Sequence, residues 1–288
     1  MQFELIIQSV ISGLLMGFVY SLVAVGLCVI WGLMEIVNFA HGDFLMLSMF
    51  ATFWTYTLFS MDPLLSLPLC TVFLFIIGVL VYKGIISRII HAPFLAQLIA
   101  TFGLGIFLRS FAQFLWSANY RTVENPWIKG RLDIGGIFIG LPQLLASAMA
   151  VIAFGFLYWF INRTEIGKAL QATSEDKEAA ALVGINSDRM FTLGWGIGAA
   201  CVGVAGALLA NFFYIFPDVG LPFGLIAFVA VALGGFGSIT GAFIAGAVIG
   251  LVEALSGLLI FPAFKYIAVF ALYLIVVIIK PQGLFGRY

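Results

Sequence analysis

Charge is scarce in this chain. Only 9% of its 288 residues are Asp, Glu, Lys or Arg, against roughly 25% in a soluble globular domain, so they could not cover a water-facing surface. The 13 basic and 13 acidic residues balance to zero, which points to no nucleic-acid or acidic partner. Cysteine is nearly missing: Cys28, Cys70 and Cys201 fall inside apolar runs, odd in number and without motif spacing. They read as small buried hydrophobes rather than a disulfide or metal set. With two histidines in all, the chain offers no nucleophile–base set, carboxylate pair or metal-ligand cluster, so no cofactor or metal is expected in it and enzymatic chemistry is not. A Gly-x4-Gly-Lys-Ser/Thr loop is also missing, so any nucleotide must be bound elsewhere.

What is present is apolar: 63% of the residues are hydrophobic, in unbroken runs rather than the alternating segments of a β-barrel. The start, MQFELII, has no basic n-region and its apolar run is too long for a cleaved signal, so it reads as a retained first span. Gln2 to Trp31 is that span, and Gly32 to Asp43 (GLMEIVNFAHGD) interrupts it. Leu45 to Phe59 is apolar again, and Asp62-Pro63 forms a turn. Leu64 to Tyr82, Pro93 to Trp116, Leu144 to Ile161, Met190 to Phe213 and Phe264 to Ile279 are further spans. Ser117 to Pro142 and Tyr214 to Pro222 read as loops. Phe223 to Leu259 is a long run broken by GGFGS at Gly234 to Ser238. The fold expected is an all-α polytopic membrane protein in one domain, residues 1–288, with about eight or nine transmembrane or half-membrane helices.

The exception to this apolar pattern is Arg163 to Arg189, which holds nine of the 26 formal charges. Basic residues favour the cytoplasmic side. Lys83 and Arg88, this segment, and Lys280 with Arg287 are therefore placed inside, and parity puts the loop after Trp116 outside. An even number of crossings must then join Arg189 to Lys280, which makes Phe223–Leu259 a hairpin turning at GGFGS, its arms short for full spans. The first sixty residues form a similar hairpin turning near NFAHGD, with the N-terminus outside and the C-terminus cytoplasmic. Short glycine-interrupted segments in corresponding places point to a transport site near the membrane middle.

Within the charged segment, Thr164 and Thr173 are candidate N-caps, with Thr173-x-x-Asp176 a capping box. Glu175, Asp176 and Glu178 suit a first helical turn. Glu178 to Val183 is then a short helix with Ala179 and Ala180 on it, and Gly184 is its C′ glycine. The segment is either a solvated connector or a docking surface. In NFAHGD, Asn38, His41, Gly42 and Asp43 form a pathway element at a helix break, or else cap that break at the cytoplasmic interface. In GGFGS, Gly234, Gly235 and Gly237 allow a tight turn, and Ser238 or Thr240 can cap the returning helix. That N-terminus either faces a substrate carboxylate or is plain hairpin packing. Glu253 reaches an interface or pairs with a buried group, and Arg109 snorkels or forms an intersubunit pair.

GKALQATSEDKEAAALVGINSDRMFTLGWGIGAACVGVAGAL resembles the coupling loop of ABC-importer permeases, specifically the branched-chain amino acid permease family. Glu178-Ala179-Ala180-x3-Gly184 matches the EAA-type pattern, without its downstream Ile-x-Leu-Pro. Ile36–Phe50, Ala232–Leu255 and the ending KPQGLFGR also resemble that family's signatures, so the likeness covers most of the chain in order. It implies a permease in the bacterial inner membrane, embedded in membrane lipid, paired with a second permease subunit that is a related paralogue. Cytosolic ABC ATPase subunits would hold ATP and Mg and dock on a coupling helix at Glu175, Asp176, Glu178, Ala179, Ala180 and Gly184. A solute-binding protein would deliver branched-chain or other hydrophobic amino acids. Urea or short-chain amides on the same architecture are the alternative cargo. An ion-coupled secondary transporter would need intramembrane carboxylates, of which Glu253 is the clear mid-run candidate. An uncoupled channel or scaffold is a further rival.

Overall fold

The computed structural model describes residues Gln2–Gly286; Arg287, one of the basic residues used for orientation, lies outside them. In chain order the elements are α1 (Gln2–Met34), α2 (His41–Phe59), α3 (Pro63–Val81) running through a π-helical turn (Tyr82–Ile86) into α4 (Ser87–Ile89), and α5 (Phe94–Trp116). A hairpin of β1 (Arg131–Ile134) and β2 (Ile137–Gly140) precedes α6 (Leu141–Arg163), α7 (Glu165–Glu175), α8 (Lys177–Leu182) and α9 (Ser187–Leu209). Then come α10 (Gly220–Gly234), α11 (Ile239–Leu259), a 3₁₀ turn (Pro262–Phe264) and α12 (Lys265–Ile279). Among the described residues, seven stretches are long and apolar enough to cross a membrane, and α10 is a shorter apolar helix. With α2 this reproduces the expected mixture of full and partial spans.

The hairpin β1–β2 is the exception to an all-α reading. Ile134 pairs with Ile137 across Gly135-Gly136, whose φ of 61° and 88° supply the two left-handed positions a tight hairpin turn requires.

Burial centres on α1 and α9, while α3, α5, α6 and α12 turn Leu, Ile and Phe outward. In lipid, apolar surface gives no drive for helices to associate, so close backbone approach must supply the packing. The α1–α11 contact shows how. A methyl group built on Gly13 would lie 2.6 Å from Ala254 Cβ and 2.7 Å from the Gly250 carbonyl, and one on Gly17 would lie 2.8 Å from the Ala247 carbonyl. Tyr82 at the π turn donates to Asp188 Oδ1 at 2.7 Å, which ties the start of α9 to the end of α3. Asp62 caps α3 by accepting from Leu64 N at 3.0 Å and holds the loop that follows α5 by accepting from Trp127 N at 2.6 Å.

Two backbone reversals differ from the sequence expectation. The first break comes at Glu35, in the left-handed region (φ 55°), and residues 36–40 run back alongside α1. His41 therefore meets Val23, with Nε2 2.9 Å from its carbonyl, and Thr101 of α5 donates to Val37 O at 2.9 Å. Val23 is eleven residues before the end of α1, about 16 Å at the helical rise. NFAHGD thus lies deep in the bundle and not at the end of α1, and α2 packs on α9, α3 and α10 rather than pairing along α1. The second reversal precedes α10, whose first turn meets the first turn of α2. A methyl group on Gly42 would lie 2.9 Å from the Gly220 carbonyl carbon and 3.2 Å from Gly224 Cα.

From there α10 runs to the end of the bundle that carries α7 and α8. Its last carbonyls are taken by the C-terminal tail: Leu284 N donates to Leu233 O at 2.8 Å and Phe285 N to Gly234 O at 3.0 Å. GGFGS turns the chain as expected, with Ser238 capping α11 by accepting from Gly241 N at 3.2 Å. Only one arm of this hairpin is short, however: α11 has 21 residues, a full span, where α10 has 15.

Candidate functional site

Two places carry the residues that sequence reasoning singles out. The first is the polar surface at one end of the bundle. Thr164 caps α7, its hydroxyl accepting from Gly167 N at 3.0 Å. Thr173 does not cap: it lies inside α7, buried, and donates to Ala169 O at 2.8 Å. The cap of α8 is Asp176 itself, whose Oδ1 accepts from Glu178 N at 2.8 Å and Ala179 N at 3.0 Å. At the other end of α8, Gly184 has φ 87°. Gly184 N donates to Ala181 O and Ile185 N to Ala180 O, both at 3.0 Å, the doubled bond pattern that closes a helix on a left-handed glycine.

α8 is therefore a six-residue helix fixed at both ends. Ala180 faces inward, while Glu175, Asp176, Glu178, Ala179 and Gly184 are exposed. Leu182 is 90% exposed and Val183 77%. Two adjacent apolar side chains are thus left open on a polar surface. Sequence reasoning had emphasised the alanines; the Leu-Val pair just before a C′ glycine was the available signal.

The second place is at mid-depth, where α2, α5 and α10 meet. Asn38 is fully buried; Oδ1 accepts from Ala40 N at 3.1 Å while Nδ2 has no partner among the described residues. His41 faces the Val23 carbonyl with Nε2, and a carbonyl only accepts, so Nε2 carries a proton, while Nδ1 has no partner among the described residues. Asp43 forms an ion pair with Arg109 of α5, Oδ1 to Nε 3.0 Å. The Nε–H itself points at Gly105 O, 3.4 Å away, so the Asp43 contact is coulombic rather than an aligned hydrogen bond. Gly105 makes the room, since a methyl group there would stand 2.5 Å from Asp43 Oδ2. Arg109 thus neither snorkels nor waits for another subunit. Pairing is what such a depth demands, because a lone charge at the centre of a membrane helix costs about 2.5–3.5 kcal/mol. Asp218, read from sequence as a loop residue, lies within electrostatic reach of Asp43 and is exposed.

The two groups of glycine-rich candidates do not converge. Asn38, His41 and Gly42 sit at the start of α10, whereas Gly234, Gly235, Gly237 and Ser238 sit at its far end, about 21 Å away along the helix. Gly237 and Ser238 share an open cleft of ≈ 710 Å³ with Glu35, Asn162, Gln171 and Glu175. Glu253 pairs with Lys265 at 2.9 Å, near the end of the bundle opposite α8.

Partial helices that start inside a bundle of full spans, with buried polar groups at their tips, define a membrane transporter architecture. The chain belongs to the family described as the permease component of the branched-chain amino acid transport system, whose model matches residues 9–278. It is 31% identical to the high-affinity branched-chain amino acid transport system permease protein BraD of Pseudomonas aeruginosa, over 98% of this chain and 96% of that protein. It is 32% identical to the corresponding LivH proteins of Salmonella typhimurium and Escherichia coli, over 99% of this chain and 97% of each. A more distant likeness, 24% over 65% of the chain, is to the autoinducer 2 import system permease protein LsrC of Escherichia coli. No solved structure matches. The chain is the membrane permease component of a transport system.

Proposed function

We propose that this permease imports branched-chain or other hydrophobic amino acids, delivered by a solute-binding protein and driven by ATP hydrolysis on cytosolic partner subunits. The observation that carries the reading is α8: a helix capped at both ends that presents Leu182 and Val183 to solvent inside an EAA-x3-Gly pattern. In this reading it seats in an ATPase subunit, which holds the ATP and Mg, and a second permease chain completes the pathway. The α7–α8 end is then cytoplasmic. It carries seven of the basic residues, Lys83, Arg88, Arg163, Lys168, Lys177, Arg189 and Lys280, against Arg121, Lys129, Arg131 and Lys265 at the other end, which agrees with the bias of cytoplasmic segments. The N-terminus then faces outward and the C-terminus inward, across a bacterial inner membrane.

The test is uptake of radiolabelled leucine, urea and acetamide by cells with and without this chain, its partners present. Leucine uptake should depend on the chain, collapse when cellular ATP is depleted, and survive a protonophore that spares ATP. Chain-dependent uptake of urea or acetamide alone would replace the cargo, and loss to the protonophore at normal ATP would replace the energy source.

A further inference from the structure

We infer that the exposed face where α2, α5 and α10 meet is a transient binding site for the zwitterionic head of an amino acid. In this assignment Arg109 takes the α-carboxylate and Asp218 the α-ammonium. The assignment rests on the import of amino acids proposed above and deepens it.

Asp218 is the starting point. It precedes the first turn of α10, level with the first turn of α2, and its side chain makes no hydrogen bond or ion pair among the described residues. A carboxylate at this depth facing hydrocarbon is costly, so charged groups inside membrane proteins face one another or a water-filled space. Arg109 presents the complementary charge. Its Nε is committed to Asp43 and Gly105 O, while neither Nη nitrogen makes a hydrogen bond among the described residues. The side chain remains 20% exposed where Asp43 is 3% exposed. Asp43 thus holds the guanidinium in place from the buried side and leaves its fork open, the geometry that suits a carboxylate.

The surroundings suit the rest of such a ligand. Asp218 just before α10 is followed by Leu221 and Leu225 on it, three and seven residues on, and Ile106 lies one turn from Arg109 on α5. Leu221 is 42% and Ile106 46% exposed, so each charged group has an open aliphatic neighbour. Toward the α7–α8 end the same face continues as Phe39, whose ring lies 6.3 Å from Phe102 and 5.2 Å from Phe228. A zwitterion with a branched apolar side chain finds an anion, a cation and aliphatic surface together. A neutral amide or urea leaves both charges unmatched.

The experiment is uptake of leucine through the assembled transporter carrying Asp218→Asn, Asp218→Glu or Asp218→Cys, with chain levels matched by immunoblot. Asp218→Asn should lower the maximal rate at least tenfold and Asp218→Glu should restore most of it. Asp218→Cys in the complex should react with a water-soluble maleimide and be protected by leucine. Full activity of Asp218→Asn would overturn the assignment, as would a cysteine there that is unreactive, or reactive but not protected. If the unmodified transporter carries no amino acid, the import reading falls and this one with it. If it carries leucine but ignores Asp218→Asn, only this assignment falls.

Discussion

The Asp43–Arg109 pair allows a quantitative test of how the interior is held together. Asp43→Asn leaves a guanidinium at mid-depth with its coulombic partner gone. Because Arg109 is 20% exposed, the cost sits at the lower end of the range for a lone membrane charge, about 2.5 kcal/mol. Arg109→Gln leaves a carboxylate that is only 3% exposed, and breaking a buried pair from that side costs about 3–5 kcal/mol. The double variant Asp43→Asn/Arg109→Gln removes both charges and keeps two polar groups of similar size. It should lose about 1 kcal/mol, because a neutral pair in the same space needs no compensation. The coupling energy is then several kcal/mol, far outside the additive behaviour of independent sites. For a chain of this size roughly 2–4 °C of melting temperature corresponds to 1 kcal/mol. Each single variant should melt about 5–20 °C below the parent and the double within a few degrees of it. Thermal unfolding of the detergent-purified protein by tryptophan fluorescence reads this directly. A double variant that loses the sum of the two singles would refute the pairing.

Other consequences concern α8. Gly184→Ala forces a side chain into φ 87° at a cost of about 1 kcal/mol, and Asp176→Ala removes a cap worth about 1 kcal/mol. Both should loosen α8 and reduce uptake at unchanged chain level, measured by radiolabelled leucine. Leu182→Asp alters a side chain that is 90% exposed, so thermal stability should move by no more than about 0.5 kcal/mol, while the ATPase subunit should no longer co-purify.

Much of this fold was legible because its signals are local. Gly184 announced the end of α8, since a helix that stops on a left-handed residue favours glycine, and of the two candidate caps Ser238 and Thr240 it is Ser238 that starts α11. The charge-rich stretch Arg163–Arg189 could be placed outside the hydrocarbon from composition alone. One capping signal was misplaced by packing. Thr173 read as the cap with Asp176 as its capping-box partner, but Thr173 falls on the face of α7 that is buried, so the helix runs through it and Asp176 itself, three residues on, is the cap. The hairpin β1–β2 was hidden for a similar reason: its four-residue strands are too short for alternation to be seen, although Gly135-Gly136 was a usable turn signal.

Depth is what local reading missed, and the reason is geometric. Asn38, His41 and Asp43 are polar residues beside a helix break, and parity alone assigns a break to a membrane surface. The chain instead returns about 16 Å along α1 before α2 begins, and nothing in the neighbours of His41 states that distance. Asp218 does lie in the short loop expected before α10, but its level could not be read, because a short segment with Pro217 and Pro222 has the same composition whether it stays outside or folds inward. What fixes the level of both segments is their mutual approach at Gly42 and Gly220, where each backbone occupies the space a side chain on the other would need. A glycine in each of two segments nearly 180 residues apart is the only local trace of that meeting. The charges follow from it: once two helix starts are brought to mid-depth, Asp43 requires a cation, and Arg109, which looked surplus in an apolar span, is the residue at the matching level of α5.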